Sequence, residues 1–313
     1  MTSPLLNLLP ERTVPLPAGR FLLDLPAGAC VRFGRQGFNE AGSFIRTLTV
    51  PDPGAVRAMV AAQAEALRVP HEEGGTRLEQ VAEGRCPHSW FVYFWKDTAF
   101  KDEPLVLNGH FWLDGMLFIF QNTCAAHPAA MAARAGQLEA LFGRVRRRGP
   151  LEVPPGPGFC MRESYIPGWA ARHSDEHIEL LVSFPALPGV SLRFRTDTVG
   201  EVIAGYPPLL EREARSRRLH GFRLRARERR LGSFPGQELV KRAGPGWACT
   251  WECLGRPREP LAPMLLLEMR AGQGWDEGAA MGLWDAILGS LRGRENFLRN
   301  LRLPDAIRSS LTL

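Results

Sequence analysis

No stretch of this 313-residue sequence approaches the roughly 18 uninterrupted apolar residues that a membrane-spanning helix needs. Its most hydrophobic runs, such as Trp90–Trp95 and Met264–Leu267, last six residues or fewer, so no integral membrane segment is expected. Phosphate-cradling loops are missing too, because neither G-x-x-x-x-G-K-[ST] nor a G-x-G-x-x-G following a strand occurs. The G-x-S-x-G elbow of serine hydrolases is likewise absent; Gly42-Ser43 and Gly232-Ser233 lack its flanks. The six cysteines stand singly except Cys249 and Cys253, whose C-x-x-x-C spacing differs from the C-x-x-C pairs of zinc knuckles. Four residues apart on a strand, those two share a face but lie about 13 Å apart and cannot bridge each other. No catalytic residue, cofactor or metal ligand set is expected from these patterns.

Lysine is scarce. Only Lys96, Lys101 and Lys241 occur, so 36 of the 39 basic residues are arginine, and 33 acidic residues leave a net charge of +6. The densest basic stretch, Arg212–Arg230, contains Arg223, Arg225, Arg227, Arg229 and Arg230 but also Glu213 and Glu228, with Glu211 directly before it. It reads as a solvated strand face that steers an acidic protein; a nucleic-acid surface would be more uniformly positive. The opening Met1-Thr-Ser-Pro-Leu-Leu-Asn-Leu-Leu-Pro has no charged n-region and is broken by Pro4, Asn7 and Pro10, so no export signal is read there. On this ground alone the compartment stays open between the cytoplasm and an exported form whose signal was removed or lies ahead of this start.

At this length two domains are the prior, and about three-quarters of the unfolded surface is buried on folding. Four prolines and three glycines in Gly149–Gly158 mark the boundary, which predicts domains over 1–150 and 151–313 joined by a short hinge. The halves share an order of elements. In the first, a helix opens at Asp52-Pro53 and runs to Val69, strands follow at 76–82, 89–95, 105–113 and 116–121, and a helix spans 128–147. In the second, a helix over 207–218 precedes strands near 222–229, 237–242, 247–254 and 263–269, and a helix closes at 277–291. Tight turns such as Leu113-Asp-Gly-Met116 imply antiparallel pairing. The fold class is therefore α+β, two antiparallel sheets each carrying helices on one face. The stripe Leu283, Trp284, Ile287, Leu288, Leu291 is expected to face a core.

Three features invite a functional reading. His173-Ser-Asp-Glu176-His177 matches H-x-x-E-H formally, but it runs into the strand-like Ile178–Phe184, where the histidines stand too far apart for one zinc ion. A zinc hydrolase is thus the weaker alternative, and exposed loop histidines are expected. Cys160 reads as a small core residue. Trp169, in Ile166-Pro-Gly-Trp-Ala, and Trp275, in Gly272-Gln-Gly-Trp-Asp, fall in loops where exposed indoles mark a binding surface. With Arg223, Arg225 and Arg227 they form the candidate partner-binding set.

The string Gly19-Arg-Phe-Leu-Leu-Asp24-Leu-Pro26-Ala-Gly28-Ala resembles the start of the immunity proteins that accompany type VI secretion phospholipase effectors of the fourth Tle class. Later blocks agree: Gly158-Phe-Cys160 with Ile166, Glu179–Phe184 leading into Pro188–Thr198, and Leu283-Trp-Asp285 through Ser290 to Arg292. The resemblance spans almost the whole chain and implies a two-domain, claw-like protein that grips the lipase one to one and prevents its lid from opening. It implies a periplasmic site of action, no catalysis and no cofactor. Ser164 and Tyr165 depart from the glycine common in relatives. The remaining alternative is a non-catalytic adaptor of the same fold for another secreted protein.

Overall fold

A computed structural model describes residues 13–39, 43–69, 77–96, 104–168, 175–198, 206–216 and 223–294. The chain begins β1 (Thr13–Ala18), β2 (Phe21–Pro26), β3 (Cys30–Asn39), β4 (Ser43–Thr49), α1 (Pro53–Arg68), β5 (Leu78–Glu83), β6 (Ser89–Phe94), β7 (Leu105–Leu113), β8 (Met116–Cys124) and α2 (Pro128–Arg144). It continues β9 (Arg146–Arg147), β10 (Gly158–Met161), β11 (Ser164–Pro167), β12 (Asp175–Ser183), β13 (Val190–Asp197), α3 (Leu209–Arg215), β14 (Arg223–Leu231), β15 (Phe234–Ala243), β16 (Gly246–Cys253), β17 (Met264–Ala271), α4 (Glu277–Ser290) and β18 (Arg292–Gly293).

Caps and turns fall where the local chemistry puts them. Asp52 accepts from the Ala55 amide at 2.9 Å ahead of Pro53, and Asp276 accepts from the Ala279 amide at 2.8 Å. Asp114 and Gly115 both take positive φ, 45° and 80°, which suits the tight Asp-Gly turn joining β7 to β8.

Two compact units result, and the division differs from the expected one. Residues up to Gly34 group with those from Arg148 onward, while Arg35–Arg147 form the other unit. The later boundary lies close to the expected one; the earlier falls inside β3. The first two strands therefore belong with the second half of the sequence, because their apolar residues pack there: the Phe21 ring meets Phe194 edge-on at 6.2 Å.

Each unit has the same topology, with wholly antiparallel pairing. In the 35–147 unit the sheet order is β3, β4, β8, β7, β6, β5; in the other it is β12, β13, β17, β16, β15, β14. In both, two strands are followed by a helix to the far edge, a four-strand meander back, and a final helix. The repeat legible in element order thus extends to strand order.

The helices of the 35–147 unit do not share a face, contrary to expectation. Along β6, Trp90, Val92 and Phe94 pack with Val56 and Val60 of α1. Alternate residues face the other way, where Tyr93 donates to the Met131 carbonyl of α2 at 3.2 Å. On that side Phe111 stacks on Phe142 of α2 with ring centroids 4.6 Å apart. Both faces are covered, so all six residues of β6 are buried.

In the other unit one sheet face is largely apolar, including Ile178, Leu180, Phe194, Cys249, Trp251, Leu267 and Met269, all buried, with Glu176, Thr196 and Glu238 as buried polar exceptions. Helix α4 packs on β2, β16 and β17 with Leu283, Trp284, Ile287, Leu288 and Leu291 buried, as its periodicity predicted.

The Pro-rich segment is not a free hinge. Buried Arg148 donates to the carbonyls of Gly149, Pro150 and Glu152, and also to those of Pro17, Met161 and Ser164. Arg294, 1% exposed, donates to the carbonyls of Pro154, Gly156 and Gly158. A segment poor in ladder hydrogen bonds is thereby held by two guanidinium groups, each offering five donors.

Candidate interaction surface

The arginine strand β14 forms an edge of its sheet, and its charge is largely spent within the fold. Glu238 on neighbouring β15 is fully buried yet accepts from Arg227 Nε at 2.6 Å, Arg229 Nη1 at 2.9 Å and Trp284 Nε1 at 2.7 Å. Asp285 of α4 accepts from Arg225 at 2.8 Å and Arg229 at 2.6 Å. Burial by itself would raise the Glu238 carboxyl; the hydrogen bonds from Arg227 and Trp284, with the nearby guanidinium charges, outweigh it and hold the group below the usual carboxylate range. Asp285 is lowered in the same way, burial being offset by Arg225 and Arg229. Arg225 and Arg229 therefore brace β14 against Asp285 of α4 while Arg227 is tied to Glu238 of β15, a correction to the reading of a freely solvated arginine face. Arg223 is exposed and makes no ion pair among the described residues.

Trp275 also departs from expectation. It is 4% exposed, its indole N–H donates to the Pro188 carbonyl at 3.0 Å, and its own carbonyl accepts from the Trp247 indole at 3.2 Å. An indole in a Gly-flanked loop has packed inward because both its apolar area and its N–H find partners there. Trp169 lies outside the described residues, as does His173.

The H-x-x-E-H string is resolved by strand alternation. Glu176 and His177 are consecutive on β12 and point to opposite faces. Glu176 takes two hydrogen bonds from buried Arg20, each 2.7 Å. His177 Nδ1 pairs with Asp197 Oδ1 at 2.8 Å on the other face, in a strand and mostly buried, so it is not an exposed loop histidine. These two side chains do not converge on one ion, and no group of metal-binding character occurs among the described residues. Cys160 is fully buried, and all six cysteines are free thiols.

The face of the β12–β13–β17 sheet opposite the apolar one carries alternating polar residues. Arg193 bridges Glu179 at 2.7 Å and Glu268 at 3.3 Å, and Arg195 pairs with Asp197. The register aligns Ser183 with Ser191 and Ser191 with Arg270 in one cross-strand row, and Leu181 with Arg193 and Arg193 with Glu268 in the next. An open depression of about 640 Å³ lies over these rows, bounded also by Cys30 and Arg32 of β3. Sequence reasoning missed this surface; the signal was the period-2 alternation in Glu179, Leu181, Ser183 and in Ser191, Arg193, Arg195.

Residues 152–296, the stretch that supplies this sheet and α4, match the family model of the Tle cognate immunity protein 4 C-terminal domain. The match is to that segment, just under half of the 313-residue chain. Solved structures extend the likeness in fold to the rest of the chain. The apo immunity protein TplEi of the T6SS from Pseudomonas aeruginosa matches with a TM-score of 0.73 at 24% identity, over 90% of this chain and 97% of that one. A chain of the Tle4–Tli4 complex matches with a TM-score of 0.72 at 24% identity, over 90% and 97%. TplEi complexed with an "L" peptide matches with a TM-score of 0.68 at 23% identity, over 91% and 99%. No curated protein sequence matches significantly.

The blocks that carried the resemblance meet in this fold. Gly19 and Cys160 exchange two backbone hydrogen bonds of 2.8 Å. The Asp24 carboxylate accepts from both terminal Arg292 nitrogens at 2.9 Å, and the Asp24 amide donates to Ser290 Oγ at 2.9 Å.

Proposed function

We propose that this chain is an immunity protein that binds and inhibits a phospholipase effector of a type VI secretion system one to one, in the periplasm. The observation that carries this reading is the family match over 152–296, joined to a fold likeness covering 90% of the chain. One relative of the same fold is solved as the Tle4–Tli4 complex. No helix among the described residues is long and apolar enough to cross a membrane.

Inhibition of this kind asks no bond chemistry of the chain. A lipase exposes an apolar surface when its lid opens, and a protein that prefers the closed state shifts the population by its differential affinity. Moving the lid from 99% open to 99% closed takes a preference of about 10⁴, or about 5.5 kcal/mol. A broad, rigid sheet face supplies such a preference by contact area and charge.

Co-expression with the phospholipase encoded beside it, followed by calorimetry and a lipid-hydrolysis assay in the same mixture, tests the reading. One-to-one binding with loss of hydrolysis is expected. Binding that leaves hydrolysis intact, or no binding, overturns it.

A further inference from the structure

The depression over β12, β13 and β17 lies in a single unit and has a donor set without an internal acceptor to match. Of its three arginines, Arg193 is committed to Glu179 and Glu268. Arg32 and Arg270 are exposed and make no ion pair among the described residues. Between them the lining carries the hydroxyls of Ser183 and Ser191, both exposed. Small serines next to long arginines make the face concave, and Leu181 gives it an apolar wall. No described helix lies over these three strands on this side: α3 sits beyond them, its Leu210 amide bonded to Gln237 of β15 and its Glu213 to Lys241.

We propose that this trough is a docking site for an acidic, extended segment of the effector, with carboxylates meeting Arg270 and Arg32. The proposal rests on the immunity reading above. Two unpaired guanidinium groups and two hydroxyls favour a ligand made of acceptors, and carboxylates match guanidinium donors in a bidentate way. Arg193, pinned by two carboxylates, is a preset wall of the trough; it keeps the partner's charge directed to its neighbours. Spacing sets the partner's pattern. Arg270 on β17 and Arg32 on β3 are separated by β13 and β12, three strand spacings or about 14 Å. An extended chain covers that distance in about four residues at 3.3–3.6 Å each, so the acidic residues recur near i and i+4.

The test uses the full chain and the double variant R32E/R270E, with R32Q/R270Q as the milder form. Both residues are exposed, so unchanged circular dichroism and thermal midpoint are expected. Affinity for the neighbouring phospholipase should fall at least tenfold, mostly through a slower association rate, and its salt dependence should flatten. Separately, an octaglutamate peptide should shift the arginine Nε–Hε NMR signals of Arg32 and Arg270 in the unaltered chain, and shift neither Arg148 nor Arg294. Affinity within twofold of the parent chain, or a peptide that moves no trough arginine, overturns the proposal. If the parent chain binds no phospholipase, the immunity reading fails instead, and the peptide shifts alone decide the trough.

Discussion

Glu238→Gln tests the energetics of the arginine strand. The glutamine is nearly the same size, so no cavity opens; what disappears is one negative charge under three guanidinium groups and an indole N–H. Glu238 is fully buried, and its ion-pair partners Arg227 and Arg229 are 52% and 19% exposed. Breaking a buried ion pair costs about 3–5 kcal/mol. Water can recover part of the arginines' solvation here, and Asp285 still holds Arg229, so the expected loss is about 2–3 kcal/mol. Urea unfolding at pH 7, followed by tryptophan fluorescence, reads it directly. Two controls separate this account from a generic surface effect. Because the carboxylate is buried, 1 M salt should leave most of the difference intact. Because its folded pKa is depressed, its contribution is complete above the unfolded carboxylate value of about 4.3 and is lost as pH falls through the folded pKa, so parent and variant should converge in acid. A loss below about 1 kcal/mol at pH 7, or a gap that does not narrow with acid, refutes the reasoning.

Three further outcomes are expected. Trp275→Ala should destabilise the chain by about 3–5 kcal/mol in urea titrations while leaving phospholipase affinity of the folded fraction unchanged, since the indole is core and not contact surface. Arg294→Met strands the buried carbonyls of Pro154, Gly156 and Gly158, at about 1–3 kcal/mol for each group left unsatisfied, and limited proteolysis should cut within 149–158 much faster. Ellman's reagent should modify exposed Cys30 promptly, whereas Cys249, whose thiol burial pushes up to about 12, should react only in denaturant.

Local chemistry was readable where it acts over a few residues. The Asp52-Pro53 cap, the Asp114-Gly115 turn, the apolar stripe of α4 and the strand spans of both meanders follow from period and turn residues alone. The strands missed outright were β1, β2, β3, β4, β10, β11 and β13, with the two-residue β9 and β18. Most are short or interrupted by glycine, proline or arginine, and several are tied to partners distant in sequence: β4 to β8, β13 to β17, and Gly19 to Cys160. Two pairs of the blocks that carried the family resemblance meet from far apart in sequence, Gly19 with Cys160 and Asp24 with Arg292, so their order spoke for the fold while no single block explained itself.

The sequence by itself determined the element types, the antiparallel character, the repeat and the absence of a nucleophile elbow or phosphate loop, because these depend on neighbours along the chain. Only the tertiary structure decided which charges are free. Arg225 and Arg227 look as available in sequence as Arg32 and Arg270; Asp285, 60 residues from Arg225, and the buried Glu238 that accepts from Arg227 turn the first pair into scaffold. Trp275 looked exposed for the same reason, its partner Pro188 being 87 residues away. Charge and burial are pairwise properties in space, and a single residue's type and local context carry no record of the partner that neutralises or covers it.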